Sequence, residues 1–210
     1  MIEFKSIIFD LDGVICTTDK YHFLAWKEAV KPLGVEFNEE INNRLRGVSR
    51  MDSLNIILER YNGSLSAKEK EEICAFKNNL YREMLKDMSE KDLPKDVSDT
   101  LYGLKTCGKK IAIGSSSKNA KLILEKLGII DVFDAIADGN DIIKSKPDPE
   151  VFLKAAEKLG ESPSNCAVVE DSVSGIIAAK AGGFYAVAIS DAQKSPIADL
   201  RIEKLSNILH

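Results

Sequence analysis

Residues 7–15 of this chain read IIFDLDGVI and place two aspartates, Asp10 and Asp12, within a run of branched apolar residues. Residues two apart in a strand face the same side, so both carboxylates should emerge together at the carboxyl end of the strand, where Gly13 turns the chain. A lone aspartate at such a point often caps a turn, which is the plain structural explanation. Two adjacent like charges repel each other, and a cation or a shared proton would offset that repulsion. The stretch therefore predicts a buried strand that ends in a functional pair of carboxylates.

Further apolar runs follow along the chain, with helical patterns between the later ones. They lie at 111–114, 135–138, 166–170 and 185–189. Because the runs are continuous rather than alternating, they are typical of parallel strands that helices cover on both faces. Apolar stripes over 120–127 and 152–159, ended by Gly128 and Gly160, predict two of these helices. The pattern predicts a doubly wound α/β domain with a parallel sheet.

A long interval separates the first apolar run from the second. It is about a hundred residues, far more than the dozen or so that a crossover connection needs. Helical patterns fill it, around 23–30, around 54–58 and over 66–88, and Ser66 followed by Glu69 fits a capping box. We therefore predict an all-helical cap domain, residues 17–89, inserted into an α/β core domain formed by residues 1–16 and 90–210.

The composition excludes several classes of protein. With 29 Lys and Arg against 33 Asp and Glu, the net charge is −4, so the basic surface of a nucleic-acid-binding protein is missing. No run approaches the roughly 18 apolar residues of a membrane span, and the start of the chain does not resemble a signal peptide. The four cysteines are scattered singly, which argues against a zinc site or a disulfide framework. We expect a cytoplasmic protein, a monomer, that binds neither nucleic acid nor membranes.

A second acidic pair, Glu170 and Asp171, ends the run CAVV at 166–169. Asp171 or Ser172 could simply cap the helix that EDSVSG opens. The same edge of one sheet would nevertheless hold four carboxylates, and oxygen ligands in that number, without histidine or cysteine, suit Mg²⁺. The sequence thus predicts a magnesium site at this edge.

Two more residues join the same edge. Ser115 follows the run IAIG, at a loop whose backbone N–H groups could hold an anion. Lys146 precedes a helix, and Pro147 and Pro149 after it fix the local backbone. Taken alone, a serine after a strand or a lysine before a proline most often has only a structural role. Combined with carboxylates and magnesium, a hydroxyl and a lysine indicate phosphoryl transfer, in which positioning and charge neutralisation supply most of the catalysis.

These motifs, in this order, resemble those of the haloacid dehalogenase-like phosphotransferases: DLDG at 10–13, the serine after the second run, SKP at 145–147 and ED at 170–171. The resemblance implies a Rossmann-like core in which Asp10 is the nucleophile and Asp12 the general acid and base. Dehalogenase activity is not expected, because that branch lacks an aspartate at the position of Asp12.

The same resemblance assigns the ligands. Mg²⁺ would be held by Asp10, by the backbone carbonyl of Asp12, and by Asp171 with help from Glu170. The transferred phosphoryl group would be bound by Ser115 and Lys146.

A second resemblance runs along nearly the whole chain and is to the β-phosphoglucomutase family of that superfamily. It includes TDKYHFLAWK at 18–27, LRGVSRMDSL at 45–54 and SSSKN at 115–119. It implies interconversion of β-glucose 1-phosphate and glucose 6-phosphate through glucose 1,6-bisphosphate. Arg50 would hold the phosphate that is not being transferred, with Ser117 and Asn119 assisting.

The remaining cap residues are assigned by the same likeness. His22 and Lys77 would lie near the hexose or orient Asp12, and Trp26 would belong to the same group of substrate and cap residues. Thr18 would be at the hinge on which the cap swings to exclude water. The peptide bond before Pro147 is expected to be cis. Cys16 and Thr17 depart from the family pattern, which has threonine and aspartate there.

Two other functions stay open at this point. The core motifs fit equally a phosphatase that acts on sugar phosphates or other small molecules. A non-catalytic protein that binds phosphosugars is the alternative of a different class.

Overall fold

A computed structural model describes residues 4–209, so the predicted outer ends of the core domain, residues 1 and 210, lie outside the described residues. The chain divides into two compact units. The core unit runs up to Thr17 and resumes at Met88, and the helical unit is Thr18–Asp87.

A parallel sheet forms the centre of the core unit. Within the described residues it has six strands: β1 (Ser6–Phe9), β2 (Lys110–Gly114), β3 (Ala135–Ala137), β4 (Cys166–Glu170), β5 (Tyr185–Ala188) and β6 (Leu200–Arg201). Their order across the sheet is β3-β2-β1-β4-β5-β6, and every neighbouring pair is parallel. The predicted doubly wound α/β fold is confirmed.

The helices follow in chain order. Those of the helical unit are α1 (Asp19–Val30), α2 (Glu39–Asn43), α3 (Arg50–Ile57) and α4 (Ala67–Met84). Those of the core unit are α5 (Lys95–Thr106), α6 (Ala120–Lys126), α7 (Glu150–Leu159) and α8 (Val173–Ala181). Short 3₁₀ helices, such as Leu85–Asp87 and Glu90–Asp92, lie between several of these elements.

Burial explains why β1 and β4 read as continuous apolar runs. All residues of both strands are buried, and Ile8 and Val168 belong to one core cluster with side chains of α7 and α8. The carboxyl ends of the strands share one edge of the sheet, called here the carboxyl edge. The strand order reverses between β1 and β4, and such a point is where open α/β sheets bind their ligands.

The local signals at helix ends were predicted well. Ser66 caps α4 in a capping box, its hydroxyl accepting from Glu69 N and its own N–H donating to the Glu69 carboxylate at 2.7 Å. Gly160 ends α7 in the left-handed conformation at φ 70°. The helical unit has its own core, in which α1 packs against α4.

Strand β6 was not predicted. It has only two residues, Leu200 and Arg201, and both are exposed. So short and exposed a strand leaves no apolar run in the sequence.

In the part of the chain that the structure describes, no helix combines the length and apolar character needed to cross a bilayer. All four cysteines are free thiols. Three of them are buried, and Cys107 is exposed.

Candidate active site

Asp10 stands at the carboxyl edge, directly after the buried strand β1. Its N–H donates to Val169 O of β4 at 3.0 Å, which fixes the backbone between the two central strands. The side chain is almost fully buried, and its Oδ1 accepts a hydrogen bond from Lys146 Nζ at 2.5 Å. Asp12 is half-buried, and its charge contributes to raising the pKa of both Asp10 and Asp171. The structure thus brings the two aspartates of the opening motif into electrostatic range of each other.

Three carboxylates meet at this edge. Asp10, Glu170 and Asp171 are buried, and each can offer an oxygen within 4.8 Å of those of the other two. Burial raises the pKa of Asp10 to about 7, with Lys146 opposing the rise and Glu170 adding to it. Burial and the charges of Glu170 and Asp10 raise the pKa of Asp171 to about 8. Burial and mutual repulsion therefore disfavour the ionised form of these carboxylates, and a bound cation would stabilise that form.

The donor set fits a hard metal ion. Its members are carboxylates only, without a histidine or cysteine, and such oxygen sets are typical of Mg²⁺ or Ca²⁺. The ammonium of Lys146 contacts two of the three carboxylates, those of Asp10 and Glu170, so with all three acids ionised the group holds two more negative charges than this lysine balances. These residues could hold a divalent metal.

Glu170 is fixed by the start of α8. One of its oxygens accepts from Lys146 Nζ, and the other accepts from both the N–H and the hydroxyl of Ser172, at 2.7 and 2.8 Å. Ser172 is also the N-cap of α8, its hydroxyl accepting from Gly175 N. Of the two capping candidates that the sequence left open, Ser172 is the one used, and it positions a site carboxylate at the same time.

Lys146 is the buried cation of the site. Its side chain is 1% exposed and contacts Asp10, Glu170 and the face of the Phe152 ring. Burial lowers the pKa of Lys146, but the two facing carboxylates outweigh it and raise the pKa above its ordinary value. The Lys146–Pro147 peptide bond is cis, as the resemblance implied.

The loop after β2 carries the predicted phosphate ligands of the core unit. Ser115 and Asn119 are buried, and Ser117 is half-buried. The hydroxyl of Ser115 accepts from Ser117 N, and that of Ser117 accepts from Asn119 N, both at 3.2 Å. These two amides of the loop thus have serine hydroxyls as partners, whereas the sequence suggested that N–H groups of this loop could hold an anion.

Three residues predicted in the helical unit, Thr18, His22 and Lys77, lie in one polar cluster around Tyr81, in which Thr18 and Lys77 are buried and His22 is half-buried. Lys77, 2% exposed, lies with its Nζ 2.6 Å from His22 Nδ1 and over the rings of Trp26 and Tyr81. Tyr81 donates its hydroxyl to Thr18 Oγ1 at 2.8 Å. Burial, and next the charges of Lys77 and Arg50, lower the pKa of His22 well below its ordinary value, so this imidazole is neutral.

Trp26 and Arg50 have distinct surroundings. Trp26 is 2% exposed and packs in the apolar core of the helical unit. Arg50 opens α3 and is half-buried, and its Nη2 donates to Asn78 Oδ1 at 2.7 Å. Arg50 is therefore anchored at a helix start and is not a freely solvated side chain.

Some residues of these clusters were not assigned to a functional site from the sequence. They are Phe152 and Ser172 in the core unit, and Asn78 and Tyr81 in the helical unit. Ser172 had a signal, as a capping candidate after an acidic pair. The others contact residues that are distant in sequence; Tyr81, for example, contacts Thr18. Local sequence patterns do not predict such contacts.

Known proteins are similar to this chain over most of its length. The model of the haloacid dehalogenase-like hydrolase family matches residues 4–183. The chain is 41% identical to β-phosphoglucomutase of Bacillus subtilis over 208 residues, which cover 97% of this chain and 91% of that protein. It is 30% identical to a phosphorylated carbohydrates phosphatase of Thermotoga maritima, over 85% of this chain and 82% of the relative.

A solved structure is similar throughout. The crystal structure of β-phosphoglucomutase from Clostridium difficile matches with a TM-score of 0.92 and 35% identity, covering 98% of this chain and 93% of the other.

Proposed function

Because this chain belongs to the haloacid dehalogenase-like hydrolase family, we propose that it is a β-phosphoglucomutase. It interconverts β-D-glucose 1-phosphate and D-glucose 6-phosphate, through a phosphorylated aspartate and a glucose 1,6-bisphosphate intermediate. The observation that carries the proposal is the buried group of Asp10, Glu170 and Asp171 around the ammonium of Lys146. The choice of a mutase within the family rests on the identity with the Bacillus subtilis enzyme.

In this proposal Asp10 is the nucleophile. A carboxylate oxygen attacks the phosphorus of a sugar phosphate, the bond between phosphorus and the sugar oxygen breaks, and Asp12 donates a proton to that oxygen. In the return step a sugar hydroxyl attacks the aspartyl phosphate, and Asp12 takes its proton. The buried position of Asp10 at the end of β1 supports its role as nucleophile. The position of Asp12, two residues further along the chain, supports its role as general acid and base.

Lys146 and Ser115 bind the transferred phosphoryl group. Lys146 is held charged among carboxylates, so it offers an ammonium to the phosphoryl oxygens. Ser115 is buried at the end of β2, on the same carboxyl edge as Asp10.

We assign Mg²⁺ as the cofactor, held by Asp10, the backbone carbonyl of Asp12, Glu170 and Asp171. When bound, it would neutralise the carboxylates and the charge on the phosphoryl oxygens. The support is the all-oxygen donor set and its unbalanced negative charge.

The second phosphate and the sugar are assigned to other residues. Arg50, Ser117 and Asn119 bind the phosphate that is not transferred, and Arg50 suits this role as an anchored guanidinium. His22, Trp26 and Lys77 serve the hexose, and Thr18, the first residue of the helical unit, serves as the hinge.

A phosphatase acting on small sugar phosphates is the second candidate function. It is favoured by relatives such as the Thermotoga maritima phosphatase and the fructose-1-phosphate phosphatase of Escherichia coli, 30% identical over 88% of this chain. In that case water would take the phosphoryl group from Asp10 in place of a sugar hydroxyl.

One assay separates the candidates. The protein is incubated with Mg²⁺, β- or α-glucose 1-phosphate and a catalytic trace of glucose 1,6-bisphosphate, and both glucose 6-phosphate and free phosphate are measured. We expect glucose 6-phosphate from the β anomer as the main product. Release of free phosphate as the main product would favour the phosphatase, and no turnover of any phosphosugar would favour a non-catalytic binding protein.

We further propose that the protein works in the cytoplasm as a monomer. Its four free cysteines fit a reducing compartment. Light scattering of the purified protein tests the monomer.

A further inference from the structure

Among the described residues, the ammonium of Lys146 contacts three side chains of two kinds. Two are the carboxylates of Asp10 and Glu170, and the third is the ring of Phe152, whose centroid lies 4.6 Å from Nζ. A lysine has a long and flexible side chain, so its position depends on such contacts. A desolvated cation over an aromatic face is held by the ring's electrostatic potential.

In the proposed function both carboxylates gain other partners, whereas the Phe152 ring does not. Asp10 must turn an oxygen toward phosphorus, and Glu170 is a candidate ligand of the metal. The face of Phe152 has no part in either event. It is therefore the neighbour that can hold Lys146 through the whole cycle.

The Phe152 ring is itself rigidly packed. It is fully buried in the first turn of α7 and meets the edge of the Phe184 ring at a centroid distance of 6.2 Å. It also lies against Gly114, where an added Cβ would come within 2.6 Å of Phe152 Cδ1. Gly114 is the last residue of β2 and directly precedes Ser115, so the same ring contacts both the Lys146 ammonium and the strand end that carries Ser115.

We propose that Phe152 is a positioning residue for phosphoryl transfer, holding Lys146 and the end of β2 at the spacing that the phosphoryl group needs. This inference rests on the proposed function. Misplacing a catalytic group by about 1 Å can cost roughly 100-fold in rate, so loss of the ring should be visible in the chemical step.

The test compares Phe152→Leu with Phe184→Leu. Both replace a buried aromatic ring of the same core cluster by an aliphatic side chain, but only Phe152 contacts Lys146. Each full-length variant is mixed with Mg²⁺ and a labelled phosphoryl donor, and both the rate and the final amount of label on the protein are measured. If Phe152 had only a structural role, its replacement would reduce the folded fraction and therefore the final amount of label. The folded protein would still be labelled at the normal rate.

We expect Phe152→Leu to lower the labelling rate about 10- to 100-fold at a nearly normal final amount, and Phe184→Leu to keep the wild-type rate within about threefold. Equal rates in the two variants, whether normal or lowered together, would overturn the inference while leaving the proposed function intact. Absence of label in the wild-type protein would overturn both.

Discussion

A side chain at Gly175 would collide with the carboxylate of Glu170, because an added Cβ would lie 1.9 Å from Glu170 Cδ. Glu170 thus rests directly on the backbone of α8, while Ser172 holds one of its oxygens. Lys146 donates to the other oxygen. The positions of this carboxylate and of the lysine therefore depend on glycine at 175.

We expect Gly175→Ala to lower kcat about 10- to 100-fold, the usual effect of disturbing residues around a metal site. The displaced Glu170 would leave both its serine contacts and Lys146. The coupled assay for glucose 6-phosphate measures the effect.

Gly103→Ala is the matched control, since Gly103 lies within helix α5 and an added Cβ would come no closer than 3.4 Å to another residue. It should keep full activity and raise the free energy of unfolding by about 1 kcal/mol. If Gly175→Ala were as active as this control, Glu170 would have no role in positioning the site.

The pH dependence of stability should report on His22. Burial and the charges of Lys77 and Arg50 lower the pKa of His22 well below its ordinary value. The unfolded chain therefore takes up a proton below about pH 6.5 that the folded protein does not. This group makes the free energy of unfolding fall as the pH decreases through about 6.5, by up to about 1.4 kcal/mol per pH unit.

His22→Asn should remove this contribution. Urea unfolding between pH 5 and 7.5 gives the free energy of unfolding of the wild type and of the variant as a function of pH. The difference between the two curves isolates the contribution of His22, because the titration of the carboxylates is common to both. Parallel profiles for the two proteins would contradict the neutral state of His22 in the folded protein.

Two buried hydroxyls should respond to substitution in opposite ways. Among the described residues, Ser6 Oγ is buried without a hydrogen-bond partner, whereas Thr100 Oγ1 donates to Asp96 O at 2.6 Å. Ser6→Ala should raise the free energy of unfolding by up to about 1 kcal/mol, and Thr100→Val should lower it by about 1 kcal/mol. Denaturant titration measures both, and a loss of stability in Ser6→Ala would show that its hydroxyl does find a partner.

Metal removal should abolish turnover reversibly. When ionised, the carboxylates of Asp10, Glu170 and Asp171 carry more negative charge than the ammonium of Lys146 neutralises. A divalent cation would neutralise the remainder. We expect no activity after treatment with a chelator and recovery on addition of Mg²⁺. Glu170→Gln should need about 10- to 100-fold more Mg²⁺ for half-maximal activity.

Glu157→Gln is the control for Glu170→Gln, because Glu157 is an exposed residue of α7 that forms a surface salt bridge with Lys154. Its Mg²⁺ requirement should be that of the wild type. Full activity of the chelated protein would refute the metal assignment.

The fold could be predicted largely because its signals are local. Continuous apolar runs gave β1 and β4, and Gly128 and Gly160 marked helix ends. Strand β6 could not be predicted, since Leu200 and Arg201 are exposed and owe their strand geometry to pairing with β5.

The candidate site likewise has residues that the sequence could place and residues that it could not. Asp10 and Glu170 stand at the ends of apolar runs, so sequence placed them at one edge. The ring of Phe152 was predicted only as part of a core stripe, because its contact with Lys146 depends on how the loop before α7 folds. The contact of Tyr81 with Thr18, 63 residues apart, depends on the packing of α1 against α4.

Identification of the phosphorylated residue tests the central claim most directly. The protein is incubated with Mg²⁺ and a labelled phosphoryl donor, and the labelled peptide is sequenced by mass spectrometry. Asp138→Asn is the control for Asp10→Asn, because Asp138 is another buried aspartate directly after a strand of the same edge. We predict label on Asp10, retained in Asp138→Asn and lost in Asp10→Asn. Label that persists in Asp10→Asn, or a wild-type protein that takes up none, would contradict the account.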